Sequence, residues 1–171
     1  MTTVRPATAA DADAIGRVQV ETWRAAYTGL MPDEVVAEFD VEARQRMWRE
    51  VLDREPRPGS AVFVAEEDGS VVGFASVGAW REDDDVVDGI GELFAIYLSP
   101  TRWGTGAGRA LIERAEASMR ESGFVEARLW VLEENERAER FYRAAGWEAD
   151  GRKVDTFQGA EVAEIRYRKA L

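Results

Sequence analysis

The stretch Leu98-Ser99-Pro100-Thr101-Arg102-Trp103-Gly104-Thr105-Gly106-Ala107-Gly108-Arg109-Ala110-Leu111 decides how the chain is read. It opens as the end of a strand over Glu92–Leu98, which Ser99-Pro100 stops because proline lacks the N–H that a ladder needs. Three glycines then alternate with other residues, and a helix starts near Arg109 and runs to about Ser122, with Gly123 as its cap. The first amides of a helix have no internal acceptor, and the helix dipole favours an anion beside them. Glycine lets the backbone approach such a ligand without Cβ obstruction. Strand, glycine turn and helix therefore form a phosphate-binding unit built from amides. The dinucleotide spacing Gly-x-Gly-x-x-Gly is absent, since counting from Gly104 ends on Arg109 and counting from Gly106 ends on Leu111. A Gly-Lys-Ser/Thr loop is absent as well. The same turn can also serve only to join a strand to a helix.

Working outward, Thr3–Pro6 reads as a short strand, and Thr8 with Asp11 forms a capping box before a helix patterned by Ile15, Val18, Thr22, Trp23 and Ala26. Gly29 ends that helix, and further helices are predicted from about Asp33 to Phe39 and from Val41 to Arg54. Ala61–Ala65 and Ser70–Trp80 form a hairpin around Asp68-Gly69. Arg81–Asp88 reads as an acidic loop. Downstream of the glycine turn, Ala127–Leu132 is a strand and Glu136–Ala145 a helix capped by Asn135, with Gly146 just past its end. Strands near Arg152–Thr156 and Val162–Arg168 flank Phe157-Gln158-Gly159. The order is a mixed α/β chain with hairpins at both ends. No repeat or low-complexity linker divides it, so residues 1–171 are expected to form one domain.

Composition removes whole classes of chemistry. The 171 residues contain no cysteine and no histidine, so thiolate nucleophiles, imidazole bases, Ser-His-Asp triads and zinc hydrolase sites are out of reach. Acid–base work falls to Asp, Glu, Tyr, Lys or water. The 22 basic and 33 acidic side chains leave a net charge of −11, which disfavours nucleic acid as a partner and favours a cation. The N-terminus lacks an apolar signal core, and the longest uncharged run, Ser70–Trp80, is too short to span a bilayer. A cytoplasmic location with no membrane partner is expected.

The glycine segment resembles the pyrophosphate-binding segment of the GNAT superfamily of acyl-CoA-dependent N-acetyltransferases, and Leu98-x-Pro100 leads into it as in that family. A second block, Asn135-x-x-Ala138-x-x-Phe141-Tyr142 followed by Gly146-Trp147, is similar to the family's late helix and the strand after it. Glu21 to Pro32 also resembles a bacterial subgroup of these enzymes. The resemblance covers roughly Gly91–Gly151 and implies a mixed, mostly antiparallel central sheet flanked by helices. It further implies acetyl-CoA as co-substrate, bound by Trp103, Gly104, Thr105, Gly106, Ala107, Gly108, Arg109, Asn135 and the strand backbone of Ile96, Tyr97 and Leu98. Trp103 is a departure, since the family usually carries Arg or Gln there. The resemblance also suggests a homodimer.

Acetyl transfer to an amine needs a neutral amine, a polarised carbonyl and a protonated leaving thiolate. Deprotonating an alkyl ammonium of pKa ~10.4 at pH 7 costs about 4.6 kcal/mol, against about 1 kcal/mol for an α-amine near ~7.8. With no histidine, a carboxylate acting through water is the base, and Glu92 is the first candidate. Its strand parity with Phe94, Ile96 and Leu98 would surround it with apolar groups and raise its pKa, and the family often uses a glutamate on this strand. Its bland alternative is a solvated position beside the acidic loop. By resemblance, Tyr142 is the acid that protonates the thiolate; the alternative is packing beside Phe141. Arg102, Arg109, Arg140 and Arg143 lie nearest the expected cofactor and as a group offer a cation supply for the 3′-phosphate of CoA; the alternative is that each is a surface charge. Trp23, Tyr27 and the acidic segment Glu82-Asp83-Asp84-Asp85 with Asp88 suit an amine cation, although Trp23 also falls on the apolar stripe of its helix. No metal is required. The reading is an N-acetyltransferase acting directly on a primary amine of a small cationic molecule. Two alternatives stay open: acetylation of a protein or peptide N-terminus, and a non-catalytic acyl-CoA sensor domain.

Overall fold

The computed structural model describes residues 1–82, 85–157 and 159–171. Seven strands form one sheet in the order β1-β2-β3-β4-β5-β7-β6. They are β1 (Thr3–Pro6), β2 (Ala61–Glu67), β3 (Ser70–Glu82), β4 (Asp85–Leu98), β5 (Glu126–Leu132), β6 (Glu148–Phe157) and β7 (Ala160–Ala170). Every neighbouring pair is antiparallel except β4 and β5. The helices are α1 (Ala12–Tyr27), α2 (Asp33–Ala37), α3 (Val41–Asp53), α4 (Ala107–Glu121) and α5 (Glu136–Ala144). This is the mixed, mostly antiparallel sheet flanked by helices that the resemblance implied.

The two faces of the sheet carry separate cores. On one face Val72, Ala75, Val77, Leu93 and Leu98 pack against Ala107, Leu111, Ile112 and Ala115 of α4 and Tyr142 of α5. On the other, Val64 and Phe74 meet Ala12, Ile15 and Val18 of α1 and Trp48 of α3. A third cluster, Val20, Trp23, Met31, Phe39 and Val162, ties the end of α1 to β7. α1 and α3 touch closely at Gly16, where a Cβ would lie 2.7 Å from the Gln45 backbone nitrogen. That contact seats α3 along α1 and fixes where its Arg44 and Trp48 point.

Two local readings change. Within the Arg81–Asp88 segment, Arg81 and Glu82 continue β3 and residues 85–88 belong to β4, with Arg81 opposite Val86, so charge alone did not make these residues a loop. Long strands accept charged residues where the sheet edge is solvated, which local composition does not reveal. Asp83, Asp84 and Gln158 lie outside the described residues. The second change is a bulge in β4. Ser76 pairs with Ala95 but Val77 pairs with Leu93, leaving Phe94 as the extra residue. Beyond it, Ile96 and Leu98 turn to the α4 side, while Ala95 and Tyr97 turn to the α1 side. The alternation linking Glu92 to Ile96 and Leu98 is therefore broken, and Glu92 shares its side with Tyr97.

Candidate active site

β4 and β5 pair over only three positions, Ile90 with Glu126, Gly91 with Ala127 and Glu92 with Arg128. β4 then runs on to Leu98 and β5 to Leu132 with no strand between them. Backbone donors and acceptors on that edge of β4 stay free of sheet pairing, which a strand otherwise avoids in a protein interior. A cavity of about 1070 Å³ fills the opening and is lined by Glu92 to Leu98, by Trp130, Val131 and Leu132, and by residues of α1, α5, β6 and β7.

At one end lies the glycine turn. Gly104 (φ 78°) and Gly106 (φ 96°) hold left-handed backbone, while a Cβ on either would meet nothing within 4 Å. Glycine is thus required there by conformation and leaves the surface open. The first helical bond of α4 runs from the Ala110 N–H to the Gly106 carbonyl at 3.1 Å, so the amides of Ala107, Gly108 and Arg109 precede any intrahelical acceptor. Gly104, Gly106, Gly108 and Arg109 line the cavity. Thr105 does not: its hydroxyl donates to the Arg102 carbonyl at 2.8 Å. Ala107 is fully buried in the core, so it offers the site an amide and no side chain.

Trp103 lines the same end, and its indole N–H donates to the Leu98 carbonyl at 2.9 Å. That donor is consumed internally, but the Arg137 guanidinium lies 4.0 Å over the Trp103 ring and lines the cavity. The four arginines singled out in the sequence all meet carboxylates: Arg102 with Glu67, Arg109 with Glu113, Arg140 with Glu136 and Arg143 with Glu139. Arg109 and Arg140 line the cavity, whereas Arg102 and Arg143 do not. Arg137 was missed, though it sits two residues past the cap in the second family-like block. Asn135 lines the cavity and its side chain accepts from the Ala138 amide at 3.3 Å, as a helix cap should.

Glu92 stands at the apex of the opening, the last residue of β4 paired with β5. Burial pushes its carboxyl up to about 7, with the Lys153 ammonium acting against the shift and Glu164 adding to it. Lys153 is held by Asp155 at 2.9 Å and Glu164 at 3.2 Å and lies 4.5 Å from the Trp130 ring centroid. Tyr142 projects from α5 into the cavity, and burial, reinforced by the nearby Tyr97 hydroxyl, holds its phenol protonated well above the ordinary range. Tyr142 also packs on Phe141, Trp147 and Tyr167, so its packing and cavity-lining placements coincide.

The α1 end of the cavity is aromatic. Trp23 is 4% exposed and meets Phe39 at 5.2 Å, Phe157 at 5.3 Å, Tyr97 at 6.1 Å and Tyr27 at 6.4 Å between ring centroids. It belongs to the core and lines the cavity at once. Tyr27 lines it too, and burial raises its phenol as well as that of Tyr97. Phe157 and Val162 reach this pocket from opposite sides of the β6–β7 turn, a junction of distant segments that no local pattern announced. Asp88 is exposed and does not line the cavity, so the acidic residues facing it are Glu92, Asp155 and Glu164 instead.

Free amides at a helix start, an unpaired strand edge and a long cavity between two strands fit a ligand with a pyrophosphate head and an amide-bearing arm. Known proteins agree with that geometry. The model of the Acetyltransferase (GNAT) family matches residues 21–147. The chain is 36% identical over 136 residues to the uncharacterized N-acetyltransferase YuaI of Bacillus subtilis, covering 79% of this chain and 74% of that protein. It is 34% identical over 158 residues to aminoglycoside N(6')-acetyltransferase type 1 of Stenotrophomonas maltophilia, covering 89% of this chain and 90% of the relative. Its fold matches the crystal structure of PaiA N-acetyltransferase from Thermoplasma acidophilum in complex with coenzyme A, with TM-score 0.71, 20% identity and coverage of 100% and 99% of the two chains. Among the described residues no helix is long and apolar enough to cross a membrane. The chain belongs to the GNAT family of N-acetyltransferases, and acetyl-CoA is its co-substrate.

Proposed function

We propose that the protein transfers acetyl from acetyl-CoA directly to the primary amine of a small cationic molecule, with Glu92 as base and Tyr142 as acid. The observation that carries this reading is the placement of a near-neutral carboxyl and a protonated phenol on the same cavity between β4 and β5. A carboxyl that burial raises to about 7 suits proton abstraction from an ammonium near neutral pH. Glu92 accepts that proton, directly or through water, and frees the nitrogen lone pair. The nitrogen attacks the thioester carbonyl, the C–N bond forms and the C–S bond breaks. Tyr142 donates its phenolic proton to the departing sulfur, whose thiol has an ordinary pKa of ~8.5. The second proton of the acylated nitrogen returns to the phenolate, which leaves a neutral amide, free CoA thiol, neutral Tyr142 and protonated Glu92.

The amides of Ala107, Gly108 and Arg109, on the glycine turn Gly104–Gly108, hold the pyrophosphate, and Arg137 on Trp103 supplies the cation that Trp103 itself lacks. Ile96, Tyr97 and Leu98 offer their backbone to the pantetheine arm, with Asn135 beside it, save the Leu98 carbonyl, which already accepts from Trp103 and Thr22. Trp23 and Tyr27 form the wall of the acceptor pocket. An ammonium fits the acidic groups Glu92, Asp155 and Glu164, the net charge of −11 and the aminoglycoside-acting relative. A cytoplasmic location is consistent with the use of acetyl-CoA.

Release of free thiol from acetyl-CoA, followed over a panel of small amines and peptides, tests the reading. Small cationic amines are expected to give saturable turnover. Turnover on peptides alone would favour the N-terminal alternative, and binding of acetyl-CoA with no turnover on any amine would identify a sensor.

A further inference from the structure

Among the described residues lining the cavity, one cation has no carboxylate partner and no part in cofactor binding or in the transfer chemistry. Arg44 of α3 lines the cavity, is half-buried, and lies 4.8 Å over the Trp23 ring. Its guanidinium makes one contact with a side-chain acceptor, 3.4 Å to the Met47 sulfur, and no described carboxylate pairs with it. A half-buried arginine normally finds a carboxylate, because desolvated charge is costly when left unmatched. Beside it stands a second donor. The Trp23 indole nitrogen is fully buried and makes no hydrogen bond of full geometry, interacting with the Tyr97 hydroxyl, in a residue that also lines the cavity. The Tyr97 hydroxyl feels both Arg44 and Tyr142, so this corner adjoins the reacting end of the cavity.

Arg44 reaches the cavity from the α1–α3 side of the sheet, whereas the glycine turn, α4 and α5 lie on the other. It is therefore placed for the acceptor and not for the cofactor phosphates. The acidic groups Glu92, Asp155 and Glu164 approach from the sheet, on β4, β6 and β7, where three carboxyl groups face the single Lys153 ammonium that Asp155 and Glu164 share. The acceptor pocket thus has two poles: carboxylates at the sheet, and a guanidinium with aromatic donors at the helices.

We infer that the acceptor is an amine that also carries a carboxylate, an amino-acid-like molecule whose carboxylate is bound by Arg44. This rests on the acetyltransferase reading above and narrows its substrate class. Arginine matches a carboxylate through paired N–H groups, and the indole N–H and phenol hydroxyls of Trp23, Tyr27 and Tyr97 supply further donors at that pole. A basic amino acid satisfies both poles and keeps the net positive charge that the acidic chain favours. Arg44 acts on binding and takes no part in bond making.

The test compares amino acids with their decarboxylated counterparts, lysine against cadaverine and ornithine against putrescine, by thiol release in the wild type, Arg44→Met and Arg44→Lys. Wild type is expected to use the carboxylate-bearing member at least tenfold better in kcat/KM. Arg44→Met is expected to raise KM for that member at least tenfold, leaving kcat and the decarboxylated member within twofold. Arg44→Lys is expected to retain part of the preference, which separates lost charge from lost packing. Equal use of both members by wild type, or equal loss on both in Arg44→Met and Arg44→Lys, would overturn the inference while leaving the acetyltransferase reading intact. No turnover on any amine would remove both.

Discussion

Burial acts on Glu92 and Tyr142 in the same direction and makes them complementary. Removing a group from water disfavours its charged form, so the carboxyl rises to about 7 while the phenol is held in its neutral, donating state. Tyr142→Phe keeps the ring packed on Phe141, Trp147 and Tyr167 but removes the proton. It is expected to lower kcat at least tenfold with little change in melting temperature, and a kcat equal to wild type would remove Tyr142 as acid. Glu92 should also leave a signature in stability. Its folded pKa lies above the unfolded value of 4.5, so the folded state is fully favoured below pH 4.5 and penalised as pH rises through about 7. Glu92→Gln, neutral throughout, should therefore match wild type near pH 4 and exceed it above pH 8 by up to about 3 kcal/mol in denaturant unfolding. Equal stability at both pH values would show that the carboxyl is solvated.

At the scale of elements, the glycine turn is where sequence and structure correspond most directly. Strand, proline stop and alternating glycines are local signals, and Gly104 and Gly106 adopt the left-handed backbone that only glycine accepts readily. Gly106→Ala places a Cβ in open space but strains φ, at about 1–2 kcal/mol. Because the strain falls on the amides of the α4 start, KM for acetyl-CoA should rise several-fold with KM for the amine unchanged, as read from initial rates with each substrate varied. An unchanged KM for acetyl-CoA would detach the turn from cofactor binding. Helix ends at Thr8, Asn135 and Gly146 were equally legible, since each depends on one residue and its immediate neighbours. The β4 bulge was not. It is set by the pairing of Ser76 and Val77 against Ala95 and Leu93, and strand alternation read from β4 alone carries no information about its partner. The acidic hairpin end was misread for the same reason, and Arg137, Arg44 and Lys153 gain meaning only from the rings beneath them.

For the whole molecule, the separation of β4 from β5 after Glu92 organises everything else. It opens the cavity, frees a strand edge, and sets the glycine turn on one side of the sheet and the aromatic cluster of Trp23 and Tyr27 on the other. The net charge of −11 is compatible with a phosphate-rich co-substrate because backbone amides and a few arginines, not the overall charge, make the phosphate end. In the proposed mechanism the absence of histidine leaves the proton to Glu92, whose burial raises its carboxyl to about 7. The most direct measurement is the pH dependence of kcat/KM for wild type and Glu92→Gln on the same amine. Wild type should gain activity through an apparent pKa near 7, beyond the gain from deprotonation of the amine itself. Glu92→Gln should lose that limb and fall by about 10²-fold or more at pH 7. A Glu92→Gln profile superimposable on wild type would contradict the account.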